Sequence, residues 1–183
     1  MKRKAIIISI KGFNLSTNEK NLFKNEKPWG LILFKRNIKS FKQVKDLIQN
    51  IRILTKDKNF PILIDEEGEN VSRLSKFYKN DFSQKIFGDI YLNNSFVGKN
   101  LYKQYIDNVI KLLRNIGINI NTVPVLDVLR KKTNKIIGNR SFSSDPKIVN
   151  SLGKLCIKQY KNNKVATVIK HIPGHGYSSS DSH

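Results

Sequence analysis

The sequence predicts an α/β fold in which helices cover a parallel β-sheet. Two observations support this prediction. Short apolar runs alternate along the chain with longer segments whose apolar residues recur at helical spacing. Within the short runs apolar residues are nearly continuous, which is typical of parallel strands that are buried on both faces.

Five of the apolar runs are interpreted as strands. The first contains only six residues before Lys11 ends it, which is too short to span a membrane and short for a secretion signal. All five are rich in Ile, Val and Leu, and we interpret the first two as buried strands. The first, second, third and fifth strands are predicted at 5–10, 29–34, 60–64 and 165–170, and the fourth lies within 118–125.

Capping residues mark the first two predicted helices. Ser16 is followed three residues later by Glu19, and Ser40 is followed in the same way by Gln43. Both pairs have the spacing of a capping box, which opens a helix. After the second pair, apolar residues recur on one helical face, at Val44, Leu47, Ile48 and Ile51.

Two further helices are predicted in the second half of the chain. A long one covers 95–116, and Gly117 suits its C-terminal stop. Its predicted apolar stripe consists of Leu101, Tyr105, Val109, Leu112 and Ile116. Asp145 and Pro146 are typical of an N-cap and first helical residue. The helix they open carries Val149, Leu152, Cys156 and Tyr160.

Two architectures fit this order of elements: an open doubly wound sheet and a (β/α)8 barrel. Each strand–helix unit takes about 30 residues, which suits both. A complete barrel needs about 250 residues. The 183 residues hold five or six units, so a barrel would be incomplete. The polar loop at 130–144 is long enough to be functional.

The strong positive charge has two interpretations. The chain has 34 Lys and Arg residues against 14 Asp and Glu, a net charge of +20. Such an excess can indicate a nucleic-acid-binding domain. However, 27 of the cations are lysines scattered along the chain, so we favour a background composition and expect neither nucleic acid nor membrane as a partner. The single cysteine, Cys156, rules out an internal disulfide, and we predict a cytoplasmic location.

Charged side chains collect where the predicted strands end or in the loops that follow. Carboxyl ends of parallel strands meet at one edge of the sheet, which is where α/β folds form their sites. Such a set makes directed hydrogen bonds to a hydroxyl-rich neutral ligand such as a sugar, and it would also suit an anion. The residues of the set are Asp65, Arg73, Arg140, Lys170 and His171. Asp127 also follows a predicted strand.

The three histidines, His171, His175 and His183, all lie in the last 13 residues, and three explanations are open. They could bind a metal with Asp181 as a fourth ligand. Asp181 could instead orient His183 as a general acid/base, because residues i and i+2 of an extended segment share a side. They could also be bystanders without a chemical role.

Five motifs together carry a resemblance to a known family. The chain resembles the N-terminal part of family 3 glycoside hydrolases, and within them the bacterial β-N-acetylhexosaminidases of peptidoglycan recycling. The motifs occur in the family's order across essentially the whole chain. They are Gly30-Leu-Ile-Leu-Phe-Lys-Arg-Asn37, Ile64-Asp-Glu-Glu-Gly68 with Val71-Ser-Arg73-Leu74, Val123-Pro-Val-Leu-Asp127, Ile137-Gly-Asn-Arg-Ser-Phe142, and Lys170-His-Ile-Pro-Gly-His-Gly176 with Asp181-Ser-His183.

The resemblance implies an incomplete TIM-barrel-like fold, with 1–183 as the N-terminal part of one catalytic barrel. It implies hydrolysis of terminal β-linked N-acetylglucosamine from muropeptides with retention of configuration. His183 oriented by Asp181 would be the general acid/base, and no cofactor or metal would be needed. The substrate-binding positions implied are Asp65, Arg73, Arg140, Lys170 and His171.

Three positions depart from the family pattern, and two alternative functions stay open. Glu66 stands where glutamine is common, Glu69 where a second glycine is usual, and Asn139 where an aspartate is usual. The alternatives are a β-glucosidase of the same family and a non-catalytic barrel half that binds a sugar or a partner chain. The family's histidine–aspartate dyad is lacking in the glucosidases, which favours the N-acetylglucosaminide branch.

The resemblance also gives an expectation for the isolated chain. The family's aspartate nucleophile lies beyond the position of His183, so no residue here is assigned that role, and the final three or so units are expected to be missing. An open barrel has two free sheet edges. We therefore expect the 183-residue chain alone to be poorly stable and inactive. A cooperative urea transition of a monomer would contradict the first expectation, and turnover of a β-N-acetylglucosaminide the second.

Overall fold

A computed structural model describes residues 3–180 of the chain. The described residues form seven strands: β1 (Lys4–Ile8), β2 (Pro28–Leu33), β3 (Ile62–Ile64), β4 (Glu66–Gly68), β5 (Val71–Ser72), β6 (Ile120–Asn121) and β7 (Ala166–Thr167). They also form five α-helices: α1 (Thr17–Asn25), α2 (Phe41–Thr55), α3 (Gln84–Asn93), α4 (Ser95–Ile116) and α5 (Pro146–Asn162). Short 3₁₀ turns lie at Lys35–Asn37 and Gly138–Arg140.

The order of the strands selects between the two predicted architectures. The main sheet runs β1-β2-β3-β6-β7, every pair is parallel, and neighbouring strands follow one another along the chain. A doubly wound sheet reverses its order at a switch point, whereas a barrel wall keeps adding strands in one direction. The predicted TIM-barrel-like α/β fold is therefore confirmed. Strands β4 and β5 form a separate antiparallel hairpin at the end of β3.

The structure confirms the capping residues predicted for α1 and α5, and at α2 it forms only part of the predicted capping box. The Ser16 side chain accepts the backbone N–H of Glu19, and the Glu19 carboxylate accepts the N–H of Ser16, so the first capping box is complete. At the start of α2, Ser40 accepts the N–H of Gln43, but the Gln43 side chain accepts the N–H of Lys39 instead. The second box is therefore only half formed. Asp145 caps α5 as predicted.

The buried face of α4 is rotated by about one residue from the predicted stripe. Leu101 is 41% exposed, and Tyr105 and Leu112 are only partly buried. The sequence offers two overlapping apolar rows at helical spacing, and packing against α2, α3 and α5 selects the other one. The buried residues are Gly98, Tyr102, Ile106, Val109, Ile110, Leu113 and Ile116.

The strands differ from the prediction in length and burial. The first run was predicted as a buried strand, which is wrong: β1 lies at the edge of the sheet, and Ile6 and Ile7 are 51% and 44% exposed. Strands β6 and β7 are two residues each, extended by an isolated bridge between Val125 and Lys170. The predicted third strand, 60–64, is shortened to the three residues of β3.

Helix α3 and the β4–β5 hairpin were not predicted. Gly88 lets α3 approach the loop after β6, because a Cβ at that position would lie 1.8 Å from the carbonyl oxygen of Phe142. The main core lies between the sheet and its helices, and Leu31, Leu33 and Leu113 are among its fully buried members. Across residues 3–180, the structure has no helix with the length and hydropathy of a membrane span.

The corrected face of α4 can be tested with a matched pair of substitutions. Leu113→Ala removes a fully buried side chain and should lower the free energy of unfolding by about 2–5 kcal/mol. Leu101→Ala makes the same change on the same helix at the exposed position and should cost less than about 1 kcal/mol. Urea denaturation followed by circular dichroism measures both. Equal losses would contradict the observed orientation of α4.

Candidate functional site

The structure brings the five predicted binding residues together at the carboxyl ends of the strands. Asp65 follows β3, and Lys170 and His171 follow β7. The β4–β5 hairpin returns the chain so that Arg73 reaches Asp65, and the loop after β6 delivers Arg140. Side-chain contacts link all five into one network.

Asp65 is half of an acid pair that organises the network. Its Oδ2 accepts a hydrogen bond from Arg73 Nη2 at 3.0 Å, and its Oδ1 accepts one from Lys170 Nζ at 3.2 Å. The Thr122 hydroxyl donates to the same Oδ1 and accepts from Lys170 Nζ at 2.9 Å. Burial alone would raise the pKa of Asp65, but the charge of Lys170 and these hydrogen bonds outweigh it and hold the pKa below its usual value.

Glu67 is the other half of the pair, and the sequence reasoning missed it. Its side chain is 3% exposed and accepts two hydrogen bonds from Arg140, at 2.8 Å to Nε and 3.0 Å to Nη2. Lys170 Nζ lies 2.5 Å from the same carboxylate. Burial lowers the pKa of Arg140, but the bonds to Glu67 and its charge raise it overall. Spacing i, i+2 from Asp65 is the sequence signal that could have found Glu67.

Glu66, between the two acids, has a different environment. It is 1% exposed, and its Oε2 accepts the backbone N–H groups of Arg73 and Leu74 at 2.9 and 3.1 Å. Its Oε1 accepts from the Asn80 amide at 2.8 Å. Burial outweighs these hydrogen bonds and raises the pKa of Glu66. Glu66 therefore holds the hairpin that presents Arg73 without facing the other charges of the network.

The histidine-rich segment meets the network at Asp127. His171 Nδ1 lies 2.6 Å from Asp127 Oδ2, and the backbone N–H of His175 donates to Asp127 Oδ1 at 2.5 Å. Asp181 and His183 lie outside the described residues, so the dyad stays a prediction. Within residues 3–180, no group of three or more His, Cys, Asp and Glu side chains could hold a metal ion.

The charge balance of the network bears on the choice between a sugar and an anion. Lys170 lies between the carboxylates of Asp65 and Glu67, Arg73 contacts Asp65, and Arg140 contacts Glu67. Each cation is therefore paired with a carboxylate before any ligand arrives. Paired groups of both signs offer donors and acceptors in fixed directions, which suits a neutral polyhydroxyl ligand better than an anion.

Comparison with known proteins finds similarity to proteins that act on sugars. Residues 3–183 match the family described as "Glycosyl hydrolase family 3 N terminal domain". A β-hexosaminidase from Hydrogenovibrio crunogenus is 32% identical over 178 residues, which cover 97% of this chain and 49% of that protein. The chain thus spans about half the length of the curated relatives it matches.

Two solved structures share the fold closely. Native NagZ from Neisseria gonorrhoeae has 29% identity and a TM-score of 0.90, covering 99% of this chain and 52% of that chain. The same protein in complex with N-trifluoroacetyl-D-glucosamine has 29% identity and a TM-score of 0.91, covering 99% of this chain and 53% of that chain. The parallel sheet covered by helices agrees with this likeness.

The environment of Glu66 predicts how acid affects stability. Because its folded pKa is raised, ionisation of Glu66 costs stability as pH rises from the unfolded value, about 4.3, through the folded value. Glu66→Gln should therefore raise the urea midpoint at about pH 7, and this gain should vanish at about pH 3.5. Asn80 can rotate its amide to accept from the new side chain, since the Tyr105 hydroxyl bonded to it can donate or accept.

The control is Glu69→Gln, the same substitution at an exposed neighbour. Its midpoint should change little at either pH. If Glu66→Gln gave the same midpoint difference from the unsubstituted chain at both pH values, the buried carboxylate would carry no such cost.

Proposed function

The chain belongs to glycosyl hydrolase family 3 through its N-terminal domain, and on that premise we propose that it supplies the sugar-binding side of a β-N-acetylhexosaminidase. The substrate proposed is a terminal β-linked N-acetylglucosamine, hydrolysed with retention of configuration. Support comes from the β-hexosaminidase relatives and from the NagZ structure that holds an N-acetylglucosamine analogue. We further propose peptidoglycan fragments as its source and the cytoplasm as the location.

The observation that carries the proposal is Lys170 Nζ between the two carboxylates of Asp65 and Glu67. The contact fixes both carboxylates in place, and the charge of Lys170 helps to lower the pKa of Asp65, so that Asp65 can accept hydrogen bonds from sugar hydroxyls without first losing a proton. Asp65 is 16% and Arg73 29% exposed in their side chains, which leaves both within reach of a ligand.

Rigid placement is what a retaining glycosidase needs from its binding residues. The transition state has oxocarbenium character, and hydrogen bonds to the ring hydroxyls that strengthen as it forms supply several kcal/mol. Groups already held by partners lose little entropy when they bind the sugar. Arg73 keeps part of its donor capacity while it contacts Asp65, because a guanidinium has five N–H donors. The three N–H donors of Lys170 already face Asp65, Thr122 and Glu67, so Lys170 contributes by holding the two acids in place.

The acid/base role is proposed for His183, oriented by Asp181. An imidazole has an unperturbed pKa of about 6.5, which suits a group that gives a proton to the leaving oxygen and later takes one from water. The segment that precedes the dyad is anchored to the loop after β6 at Asn134. Asn134 donates from its backbone N–H to the Ser178 carbonyl at 2.9 Å and from its side chain to the Ser179 carbonyl at 3.1 Å.

The proposal is tested by measuring sugar binding to the chain with isothermal titration calorimetry. N-acetylglucosamine should bind more tightly than glucose, since the acetamido group distinguishes the proposed substrate from that of a β-glucosidase. Asp65→Asn should weaken binding roughly tenfold or more, because it removes a charged acceptor. Arg73→Lys should also weaken it by removing the planar fork while keeping the charge.

Asp89→Asn is the matched control, because Asp89 pairs with Lys85 on the exposed side of α3 and should not affect binding. Failure of the folded chain to bind N-acetylglucosamine would overturn the proposed binding role. Equal affinity for glucose and N-acetylglucosamine would favour the β-glucosidase alternative.

A further inference from the structure

We propose that Asp127 is a positioning residue that fixes the His171 ring as the neutral tautomer protonated on Nδ1 and anchors the turn that follows it. Asp127 ends the Val123-Pro-Val-Leu-Asp127 motif, and the family resemblance assigns it no role. Asp127 itself does not reach a ligand, because its side chain is fully buried. Its effect on sugar binding rests on the proposed function, whereas its effect on the tautomer does not.

The two carboxylate oxygens of Asp127 have separate partners. Oδ2 lies 2.6 Å from Nδ1 of His171, and Oδ1 accepts the backbone N–H of His175 at 2.5 Å. A carboxylate accepts hydrogen bonds and does not donate them, so the proton lies on Nδ1. The buried carboxylate of Asp127 therefore positions both the His171 ring and the backbone at His175, four residues later.

Arg140 favours the same tautomer at the other ring nitrogen. His171 Nε2 lies 3.4 Å from Arg140 Nη2, and a guanidinium has donors only. A proton on Nε2 would set two donors, and an imidazolium would set two positive charges, against each other. Glu67 holds Arg140 in place through two hydrogen bonds, so the guanidinium cannot easily turn away. Nε2 consequently keeps its lone pair and is an acceptor at the edge of the site.

The turn after His171 is fitted closely to the loop that follows β6. A Cβ at Gly176 would lie 2.1 Å from the Val128 carbonyl oxygen, so this backbone approach requires glycine. The Thr133 hydroxyl donates to the Gly176 carbonyl at 2.5 Å. With the His175 N–H held by Asp127, the turn is tied to residues on both sides of Val128, which fixes the direction in which the chain continues.

For the proposed function, the consequence is that different binding residues supply hydrogen-bond donors and acceptors to the sugar. Arg73 supplies donors and Lys170 holds the acids in place, whereas His171 supplies a neutral acceptor for a sugar hydroxyl. Loss of Asp127 would let the imidazole adopt the other tautomer, and His171 would then offer a donor in its place.

The test is nuclear magnetic resonance of the 183-residue chain labelled with ¹⁵N, recorded without sugar. Long-range ¹H–¹⁵N spectra distinguish the protonated from the unprotonated ring nitrogen of His171. In the unsubstituted chain we expect the proton on Nδ1. In Asp127→Asn the single amide oxygen can accept from only one of the two partners, and we expect part or all of His171 to shift to the Nε2-protonated form.

Amide hydrogen exchange gives the second readout. The His175 amide should exchange roughly tenfold faster in Asp127→Asn, as expected for loss of one hydrogen bond to a charged acceptor. Asp107→Asn is the matched control: Asp107 is a half-buried acid on α4 that accepts from Gln159, and its substitution should leave the tautomer and the His175 amide unchanged.

The outcomes separate this proposal from the proposed function. An Nε2-protonated His171 in the unsubstituted chain would overturn the role of Asp127 even if Asp127→Asn failed to fold. An unchanged tautomer in folded Asp127→Asn would overturn it as well. Failure to bind N-acetylglucosamine with the expected tautomer present would instead count against the proposed function alone.

Discussion

The site depends on the position of one ammonium group, that of Lys170, between the carboxylates of Asp65 and Glu67. Removing ions from water is costly, and the attraction within a buried pair repays the cost only when geometry and further hydrogen bonds are good. Here both carboxylates have additional donors, from Arg73 and Thr122 on one side and Arg140 on the other. Without the ammonium, two acids two residues apart would repel each other.

The same three-residue segment shows how side-chain direction separates binding from support. Asp65 and Glu67 face the charged network, whereas Glu66 points the other way and bonds to the backbone of the hairpin. Burial raises the pKa of Glu66, which forms no ion pair with a cation among residues 3–180, whereas the pKa of Asp65 is lowered by the charge of Lys170 and its hydrogen bonds. Two adjacent acids thus have opposite shifts, and the cause is the face of the strand on which each lies.

Sequence patterns predicted the parallel sheet, four of the five helices and the grouping of Asp65, Arg73, Arg140, Lys170 and His171. These depend on local periodicity, caps and the rule that strand ends meet at one edge. The rotation of α4 and the exposure of β1 could not be predicted, since both depend on which neighbours an apolar face finds. Glu67 and Asp127 were missed as functional residues because their importance lies in contacts with residues far along the chain, such as Glu67 with Arg140 and Asp127 with His171.

Asparagine explains why the strands are shorter than their apolar runs. Asn119 accepts the N–H of Ile62 at 2.7 Å and donates to the Phe60 carbonyl at 3.1 Å, so its side chain completes the pairing that a longer β6 would make. Asn121, fully buried, does the same with the N–H and carbonyl of Glu66, both at 3.0 Å. An amide carries the donor and acceptor of a peptide group, so these two side chains can pair with backbone groups as a strand would.

The bond to Glu66 has a further consequence, because Asn121 also donates to the Tyr160 hydroxyl at 2.9 Å. A single side chain on β6 therefore joins α5 to the segment that carries Asp65 and Glu67. The amides that replace strand pairing also give the acids of the site a fixed position relative to the barrel wall. A composition rich in lysine and asparagine is thus not neutral background throughout: its lysines are mostly exposed, but its buried asparagines are structural.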